Sequence, residues 1–199
     1  MERHKQRYVI DLTYLLHELC TNKKAKYLLN ICAHFSKFVI SYPINKKSSN
    51  VITDKLKKCF EIFGKPEQNG TDNGSEFVNK KVKKLLSENK FQFVHGKPYN
   101  PHSNGVVERV NRTIKNLLIC KYLENIKNFD LVNSLKNLIN VINNSKHRTT
   151  KNIPKDIFYS IVEELFKIVK FNTINSSKNY KSELIELKEN DNITIQSFN

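Results

Sequence analysis

The alternation of hydrophobic and polar residues predicts three β-strands at the start of the chain. An apolar run at Tyr8–Thr13 is followed by two β-rich runs, Lys26–Phe35 and Ser36–Ile44, which a short polar break separates. Runs of this kind are typical of strands, and the short break favours an antiparallel pair. Two shorter candidate strands follow, one over residues 67–72 and one over Phe91–His95.

Apolar residues that recur at three- and four-residue spacing predict the helices between and after these strands. The first helix begins at an N-cap in Ser48-Ser49 and ends at Gly64 and Pro66. Further helical patterns cover Ser75–Asn89, Gly105–Leu123, Phe129–Asn143 and Ile157–Lys170. This order of strands and helices predicts an α/β fold, in which a mixed sheet has helices on its faces.

Length and composition fit one medium domain with a short appendage. The chain has 199 residues, of which 39% are hydrophobic and 10% aromatic, enough for a packed core. No stretch approaches the roughly 20 apolar residues that cross a bilayer, and the N-terminus lacks the apolar segment of a signal peptide. We therefore predict a core over residues 1–159, a helical or weakly ordered extension over residues 160–199, and no membrane association.

The positive charge of the chain lies in the predicted core. The net charge is +15, and residues 160–199 hold 5 Lys/Arg against 6 Asp/Glu, which leaves 29 against 13 for residues 1–159. Such a balance predicts a polyanionic partner. An AT-rich genome is an alternative source of the many lysines, although it would not remove acids.

The four cysteines, Cys20, Cys32, Cys59 and Cys120, are widely spaced and form no C-x-x-C pair. Each lies in or beside an apolar run. We therefore predict buried free thiols rather than disulfides or a zinc site.

Three acidic residues stand out because of their places in the predicted elements. Asp11 closes the first strand, Asp72 follows the fourth, and Glu108 lies one turn into the helix that starts near Gly105. Strand ends and first helical turns can bring distant side chains together. Each acid also has an ordinary structural interpretation, since Asp72 suits a turn, Glu108 a solvated helix surface, and Asp11 a bond to a backbone amide.

Three converging carboxylates would suit a pair of magnesium ions. Two such ions about 3.5–4 Å apart can activate an attacking oxygen and stabilise a leaving oxygen in phosphoryl transfer. Mg²⁺ prefers oxygen ligands and combines a few carboxylates with substrate phosphates and waters. One acid must bridge both ions, a role that suits a residue fixed on a central strand, and the other two would each hold one ion from the side.

Helical spacing adds two basic residues to this candidate site. Arg112 and Lys115 lie four and seven residues after Glu108, so the three share one helix face. Cations beside metal-binding acids would bind phosphate groups, whereas the structural alternative is a solvated Glu–Arg pair. The buried face of this helix is predicted to comprise Val107, Val110, Ile114, Leu117 and Leu118.

Several sequence blocks together resemble the catalytic core of retroviral and Ty3/gypsy-type retrotransposon integrases. The residues between Asp72 and Glu108 number 35, which is the spacing of the family's D,D-35-E signature. The resemblance covers about residues 6–159, in the family's order. The blocks are RYVIDLT (7–13), YLLNICAHFSKF (27–38), FGKP (63–66), TDNGSEF (71–77), HGKPYNPHSNGVVERVNRT (95–113) and NSKHRTTKNIP (144–154).

The resemblance implies an RNase H-like fold, with a mixed five-stranded sheet flanked by helices on both faces. It implies that Asp11, Asp72 and Glu108 are the catalytic acids, which would bind two Mg²⁺ or Mn²⁺ ions and no zinc. The implied function is DNA integration, in which the enzyme trims the 3′ ends of element DNA and joins them to target DNA.

The resemblance also implies positions of contact with DNA. Tyr99 and Asn104 match positions on the family's mobile active-site loop, which contacts the DNA end. Matching lysines in the family support Arg112 and Lys115 as DNA contacts. The implied partners are element and target DNA and further copies of the chain, in a dimer or larger assembly. The substrate implies the nucleus, or the cytoplasm before import.

Some features depart from the family and leave alternatives open. Tyr8 replaces the usual Trp, Ala33 replaces an acid often found there, and Glu67–Gly70 is polar where relatives have an apolar strand. We expect a core alone, since neither the His-His-Cys-Cys zinc domain nor a basic β-barrel is evident. A domesticated or degenerate core that binds nucleic acid without catalysis is one alternative, and a nuclease for RNA–DNA hybrids is another.

Overall fold

The computed structural model describes residues 7–20, 25–66, 68–71, 77, 92–95, 105–160 and 162–190. Except for Phe77, the predicted helix over Ser75–Asn89 and the predicted loop over 96–104 lie outside these residues. The elements in chain order are β1 (Arg7–Tyr14), β2 (Tyr27–Ala33), β3 (Val39–Ile44), α1 (Ser49–Phe63), β4 (Gln68–Thr71), β5 (Gln92–His95), α2 (Gly105–Glu124), α3 (Leu131–Asn144), α4 (Pro154–Tyr159) and α5 (Glu163–Asn190).

The strands form a five-stranded mixed sheet in the order β3-β2-β1-β4-β5. β1 pairs antiparallel with β2, and β2 antiparallel with β3. β4 pairs in parallel with both β1 and β5, so this polar segment lies inside the sheet. Backbone hydrogen bonds supply such pairing whatever the side chains are. The predicted mixed five-stranded sheet is confirmed.

Hydrophobic side chains pack on both faces of the sheet, because successive residues of a strand point to opposite sides. On one face, Leu29 and Ile31 of β2 pack with α1. On the other face, Leu28 and Cys32 pack with α2 and α3. Helices therefore cover both faces, as predicted. None of the helices among the described residues has a stretch long and apolar enough to cross a membrane.

The first predicted helix is confirmed at both ends. The Ser48 hydroxyl accepts a hydrogen bond from the backbone N–H of Val51, which satisfies one of the unpaired amides of the first turn. The helix ends at Phe63, and Gly64 follows with a positive φ of 89°. Glycine adopts this conformation without the steric cost that a side chain brings.

The prediction of one helix over Ile157–Lys170 is wrong, because the segment divides into α4 and α5. Ser160 has an extended backbone, and its hydroxyl accepts a hydrogen bond from the N–H of Val162 at 3.0 Å. Ser160 therefore ends α4, and its hydroxyl stabilises a turn before α5 begins at Glu163. Phe166 of α5 packs on Phe35, with 5.7 Å between the ring centroids. The division of the chain after residue 159 stays a prediction.

Two predictions of burial on α2 are also wrong. Leu117 is 39% exposed, and Cys120 is exposed. Each residue turns the helix by about 100°, so Cys120 lies on the far side from the buried Leu118. Of the other cysteines, Cys32 and Cys59 are buried as predicted, and Cys20 is partly buried. Burial raises the pKa of Cys32 and of Cys59 to about 12, so both stay protonated at neutral pH.

Candidate functional site

Hydrogen bonds from two elements orient the carboxylate of Asp11. Asp11 is half-buried and lies in the middle of β1, so the prediction that it closes the strand is wrong. The backbone N–H of Leu12 donates to Oδ1 at 2.7 Å. Nδ2 of Asn111 on α2 donates to Oδ2 at 2.5 Å. One bond comes from the strand itself and the other from the helix that crosses it. The predicted catalytic acid is therefore oriented by two separate elements.

Asn111 is itself held by a buried polar side chain of the sheet. Nδ2 of Asn30, which is 0% exposed in β2, donates to Oδ1 of Asn111 at 2.7 Å. The hydroxyl of Ser41 in β3 donates to Oδ1 of Asn30 at 2.5 Å. Four side chains from three strands and one helix thus form a continuous chain of hydrogen bonds that ends on Asp11.

A groove with a volume of about 430 Å³ lies between β1 and α2, next to this chain. Asn111, which binds Asp11, is part of its wall, so Asp11 and the groove are adjacent. The residues that line it are Leu12, Thr13 and Tyr14 of β1 together with Glu108, Asn111, Arg112, Lys115 and Asn116 of α2. The groove therefore combines a carboxylate and two cations beside a second carboxylate.

The structure brings together the predicted site residues that it describes. Glu108 and Arg112 are exposed in the groove, and Lys115 is half-buried there. This agrees with the helical spacing that predicted one shared face, although the roles assigned to these residues stay predictions. Three more predicted residues, Asp72, Tyr99 and Asn104, lie outside the described residues.

Sequence reasoning missed Asn30 and Asn111. Two signals were available for them. Asn30 is a polar residue in the centre of the apolar strand YLLNICA, and Asn111 follows Glu108 by three residues, which places both on one side of the helix. A buried amide in an apolar strand requires hydrogen-bond partners, and here the partners connect it to the site.

The donor chemistry of the site fits magnesium or manganese. Asp11 and Glu108 offer carboxylate oxygens, which are the ligands that these ions prefer. The described lining of the groove contains neither histidine nor cysteine. Within the described part of the chain, no three His, Cys, Asp or Glu side chains lie together as a metal site would require. The third predicted ligand, Asp72, is not in that part.

Five basic side chains cluster at the end of the sheet where β1 begins: Arg7, His34, Lys37, Arg109 and His147. Nζ of Lys37 donates to the backbone oxygen of His34 at 2.6 Å, and the N–H of His34 donates to the oxygen of Arg7 at 2.7 Å. Burial lowers the pKa of His34 to about 4, with the charges of Lys37 and Arg7 adding to the effect. Burial likewise lowers the pKa of His147 to about 4, helped by Lys37 and Arg109. Both rings are therefore neutral at pH 7.

We expect the folded protein to lose stability on mild acidification because of these two histidines. Between pH 6.5 and pH 4 the unfolded chain binds protons at His34 and His147 that the folded chain does not, so the free energy of unfolding falls as pH falls. Since the rings are partly solvated, we expect a loss of about 2 kcal/mol between pH 7 and pH 5. Urea denaturation at the two pH values measures it.

The control for this experiment is the double variant His34→Gln/His147→Gln. It lacks the two titrating rings and should lose at least half of the pH dependence. An unchanged difference between pH 7 and pH 5 in the double variant would show that other groups cause it.

Comparisons with known proteins place this chain in a family. The family model described as Integrase core domain matches residues 2–101, which include Asp11 and Asp72. The chain belongs to this integrase core family. The Gag-Pro-Pol polyprotein of Human T-cell leukemia virus 2 is 33% identical over 130 residues, which are 62% of this chain. The matched region spans only 9% of that polyprotein's length.

Solved structures share the fold of this integrase core. In the cryoEM structure of a simian T-cell lymphotropic virus intasome in complex with PP2A regulatory subunit B56 gamma, one chain matches with a TM-score of 0.69 and 22% identity, over 78% of this chain and 55% of that one. The HTLV-2 integrase catalytic core domain in complex with magnesium, in a trimeric form, matches with a TM-score of 0.64 and 22% identity, over 78% and 97%. The RNase H-like fold of an integrase catalytic core is thereby confirmed.

Proposed function

We propose that this chain is the catalytic core of an active integrase, which trims the 3′ ends of element DNA and joins them to target DNA with divalent metal ions. The observation that carries the proposal is the groove between β1 and α2, which Glu108 lines and whose wall residue Asn111 binds the oriented carboxylate of Asp11. Membership of the integrase core family supports it. A structural relative described as a complex with magnesium supports the choice of metal.

Asp11, Asp72 and Glu108 would hold two Mg²⁺ or Mn²⁺ ions in this proposal. The bound ions would polarise the scissile phosphate and lower the pKa of an attacking water or 3′-hydroxyl. Asp11 contributes a carboxylate whose orientation is set by Leu12 and Asn111 before any ligand binds. Such preorganisation limits the reorganisation that binding requires.

Arg112 and Lys115 would bind phosphates of the DNA end along the wall of the groove. Both lie one turn or more beyond Glu108 on the same helix, so a DNA strand that reaches the carboxylates passes them. Tyr99 and Asn104, in the loop that the sequence predicts before α2, would contact the same DNA end. A dimer or larger assembly and a nuclear location complete the proposal, and a relative described as an intasome supports the assembly.

The experiment that tests the proposal uses a branched DNA that mimics the joined product. Joining exchanges one phosphodiester for another, so the same site catalyses the reverse reaction, in which a 3′-hydroxyl in the branch resolves the junction. This substrate needs no knowledge of the element's end sequence. We expect resolution with Mn²⁺ or Mg²⁺ and none with Ca²⁺ or a chelator, measured on labelled strands.

Two other outcomes would replace the proposal. Tight binding of DNA without resolution in either metal would indicate a core that has lost catalysis, an alternative that the polar β4 favours. Cleavage of the RNA strand in an RNA–DNA hybrid, without action on the branched DNA, would indicate a hybrid-specific nuclease. Each outcome is read from the same labelled strands.

We expect the double variant Arg112→Ala/Lys115→Ala to bind duplex DNA about tenfold more weakly. The plot of log affinity against log salt has a negative slope, and each lost phosphate contact should make it less steep by about 0.9, so the double variant should reduce the steepness by nearly two. Fluorescence anisotropy at several salt concentrations measures both values. The matched control is Lys57→Ala/Lys58→Ala, which removes the same charge from exposed positions of α1. Equal effects in both pairs would contradict a specific role for the groove.

A further inference from the structure

A row of polar side chains crosses three strands on the sheet face that α2 covers. Asp11 of β1 lies opposite Asn30 of β2, and Asn30 lies opposite Ser41 of β3. The neighbours of Asn30 on this face, Leu28 and Cys32, are fully buried in the apolar core. The row therefore interrupts an otherwise apolar layer. Ser41 is hydrogen-bonded to Asn30 directly, and Asn30 is connected to Asp11 through Asn111.

The carboxylate of Asp11 sets the direction of every bond in this row. A carboxylate only accepts hydrogen bonds, so Asn111 must present its NH₂ group to Asp11 and its oxygen to the other side. Asn30 must then present NH₂ to Asn111 and its own oxygen to Ser41, which donates. All donors point towards Asp11. Bonds aligned in this way polarise and strengthen one another.

From this geometry we infer that Asn30 and Ser41 are positioning residues, which act through Asn111 to fix the carboxylate of Asp11 for metal binding. The inference rests on the proposed function, because it assumes that Asp11 is a metal ligand. Asn30 donates to the side-chain oxygen of Asn111. This bond keeps the Asn111 side chain from rotating away from Asp11, and it prevents the amide from flipping so that its oxygen faces the carboxylate. Partners of metal ligands commonly tune metal affinity by restricting the ligand in this way.

Stability alone does not account for Asn30. When a buried amide and its hydrogen-bond partners are all replaced by apolar groups of the same shape, the change in stability is often nearly neutral. Asn30 is fully buried, and the rest of β2 is apolar apart from its first residue, Tyr27. A leucine there would join the packing of Leu28 and Cys32. The amide instead connects the centre of the sheet to the candidate site.

The test compares Mn²⁺ binding by Asn30→Leu and the wild type, measured by electron paramagnetic resonance without DNA. We expect the Kd for Mn²⁺ to rise about tenfold in Asn30→Leu, with a smaller rise in Ser41→Ala. The matched control is Asn143→Leu, which removes another buried asparagine, whose amide binds the backbone N–H and oxygen of Val39 in β3. This control should lower the thermal midpoint but leave the Kd for Mn²⁺ within twofold.

A double-mutant cycle separates positioning from a general structural role. We expect Asn111→Leu to weaken Mn²⁺ binding as well, and Asn30→Leu to add no further loss in that background, because Asn30 acts through Asn111. Additive losses, or an unchanged Kd in Asn30→Leu, would overturn the inference. The resolution assay is a separate readout. A wild type that binds Mn²⁺ in an Asn30-dependent way but resolves no branched DNA would contradict the proposed function and support the positioning role.

Discussion

The Asp11→Asn variant is expected to lose about a thousandfold of the metal-dependent activity on branched DNA. The substitution keeps the size of the side chain but removes the negative charge that would bridge two cations. Metal ions contribute several kcal/mol to the transition state of phosphoryl transfer, and each 1.36 kcal/mol corresponds to a factor of ten in rate. Single-turnover rates on a labelled substrate, at saturating Mn²⁺, measure the loss.

The fold of this variant should survive with a small change in stability. In the wild type, Leu12 N–H and Asn111 Nδ2 each donate to one carboxylate oxygen. An asparagine at position 11 has one oxygen and one NH₂ group, so one of these two donors would face the NH₂ group instead of an acceptor. One frustrated hydrogen bond at a half-buried site costs about 1 kcal/mol. The circular dichroism spectrum should be unchanged, and urea denaturation should show a loss of that size.

Asp54→Asn is the matched control, because Asp54 is an exposed acid on α1, which packs on the other face of the sheet. It removes the same charge and should leave the rate within twofold of the wild type. A folded Asp11→Asn variant that retains more than a tenth of the wild-type rate would show that Asp11 is not a bridging ligand.

The sequence predictions that the structure confirms depend on local features of the chain, such as helical periodicity. The face of α2 that holds Glu108, Arg112 and Lys115 follows from 3.6 residues per turn, and no other part of the chain is needed to derive it. The bounds of α1 follow from Ser48 and Gly64, whose effects are confined to neighbouring residues. Features of this kind are encoded within a few positions, so the sequence alone predicts them.

The polar row could not be predicted in the same way, because it depends on the register of three strands and on the approach of a helix. A shift of β2 by one residue would turn Asn30 to the opposite face. Its bond to Asn111 joins residues that are 81 positions apart. The sequence offers only the anomaly of an amide in an apolar strand, which indicates a buried partner without identifying it.

The prediction of a single helix over Ile157–Lys170 failed for a more local reason. The apolar spacing continues from Ile157 through Phe166 without interruption, so the hydrophobic pattern does not indicate a break at Ser160. A serine inside a helix and a serine in a turn between two helices look alike in a hydrophobic pattern. What distinguishes them here is the extended backbone at Ser160 and its bond to Val162, both set by the folded chain.

The Phe38→Ala variant is expected to lose about 3–4 kcal/mol of stability. Phe38 is 6% exposed and stacks on Phe158 of α4, with 4.3 Å between centroids and 20° between the rings. It also contacts Phe63 and Tyr159, each at 5.8 Å. Removal of a buried Phe leaves a cavity and typically costs 3–5 kcal/mol, of which aromatic pairs contribute about 1 kcal/mol. The free energy of unfolding in urea measures the loss.

The size of this effect follows from what Phe38 connects. It lies just before β3, and its ring joins α1 through Phe63 and α4 through Phe158, so its loss loosens three elements together. Phe171→Ala is the matched control, because the Phe171 side chain on α5 is 65% exposed and should change the free energy by no more than about 0.5 kcal/mol. A loss below about 1.5 kcal/mol in Phe38→Ala would mean that α4 is held chiefly by other contacts. If Phe38→Ala and Phe158→Ala each cause a large loss, and the double variant loses less than the sum of the two, the ring stack is the link between α4 and the sheet.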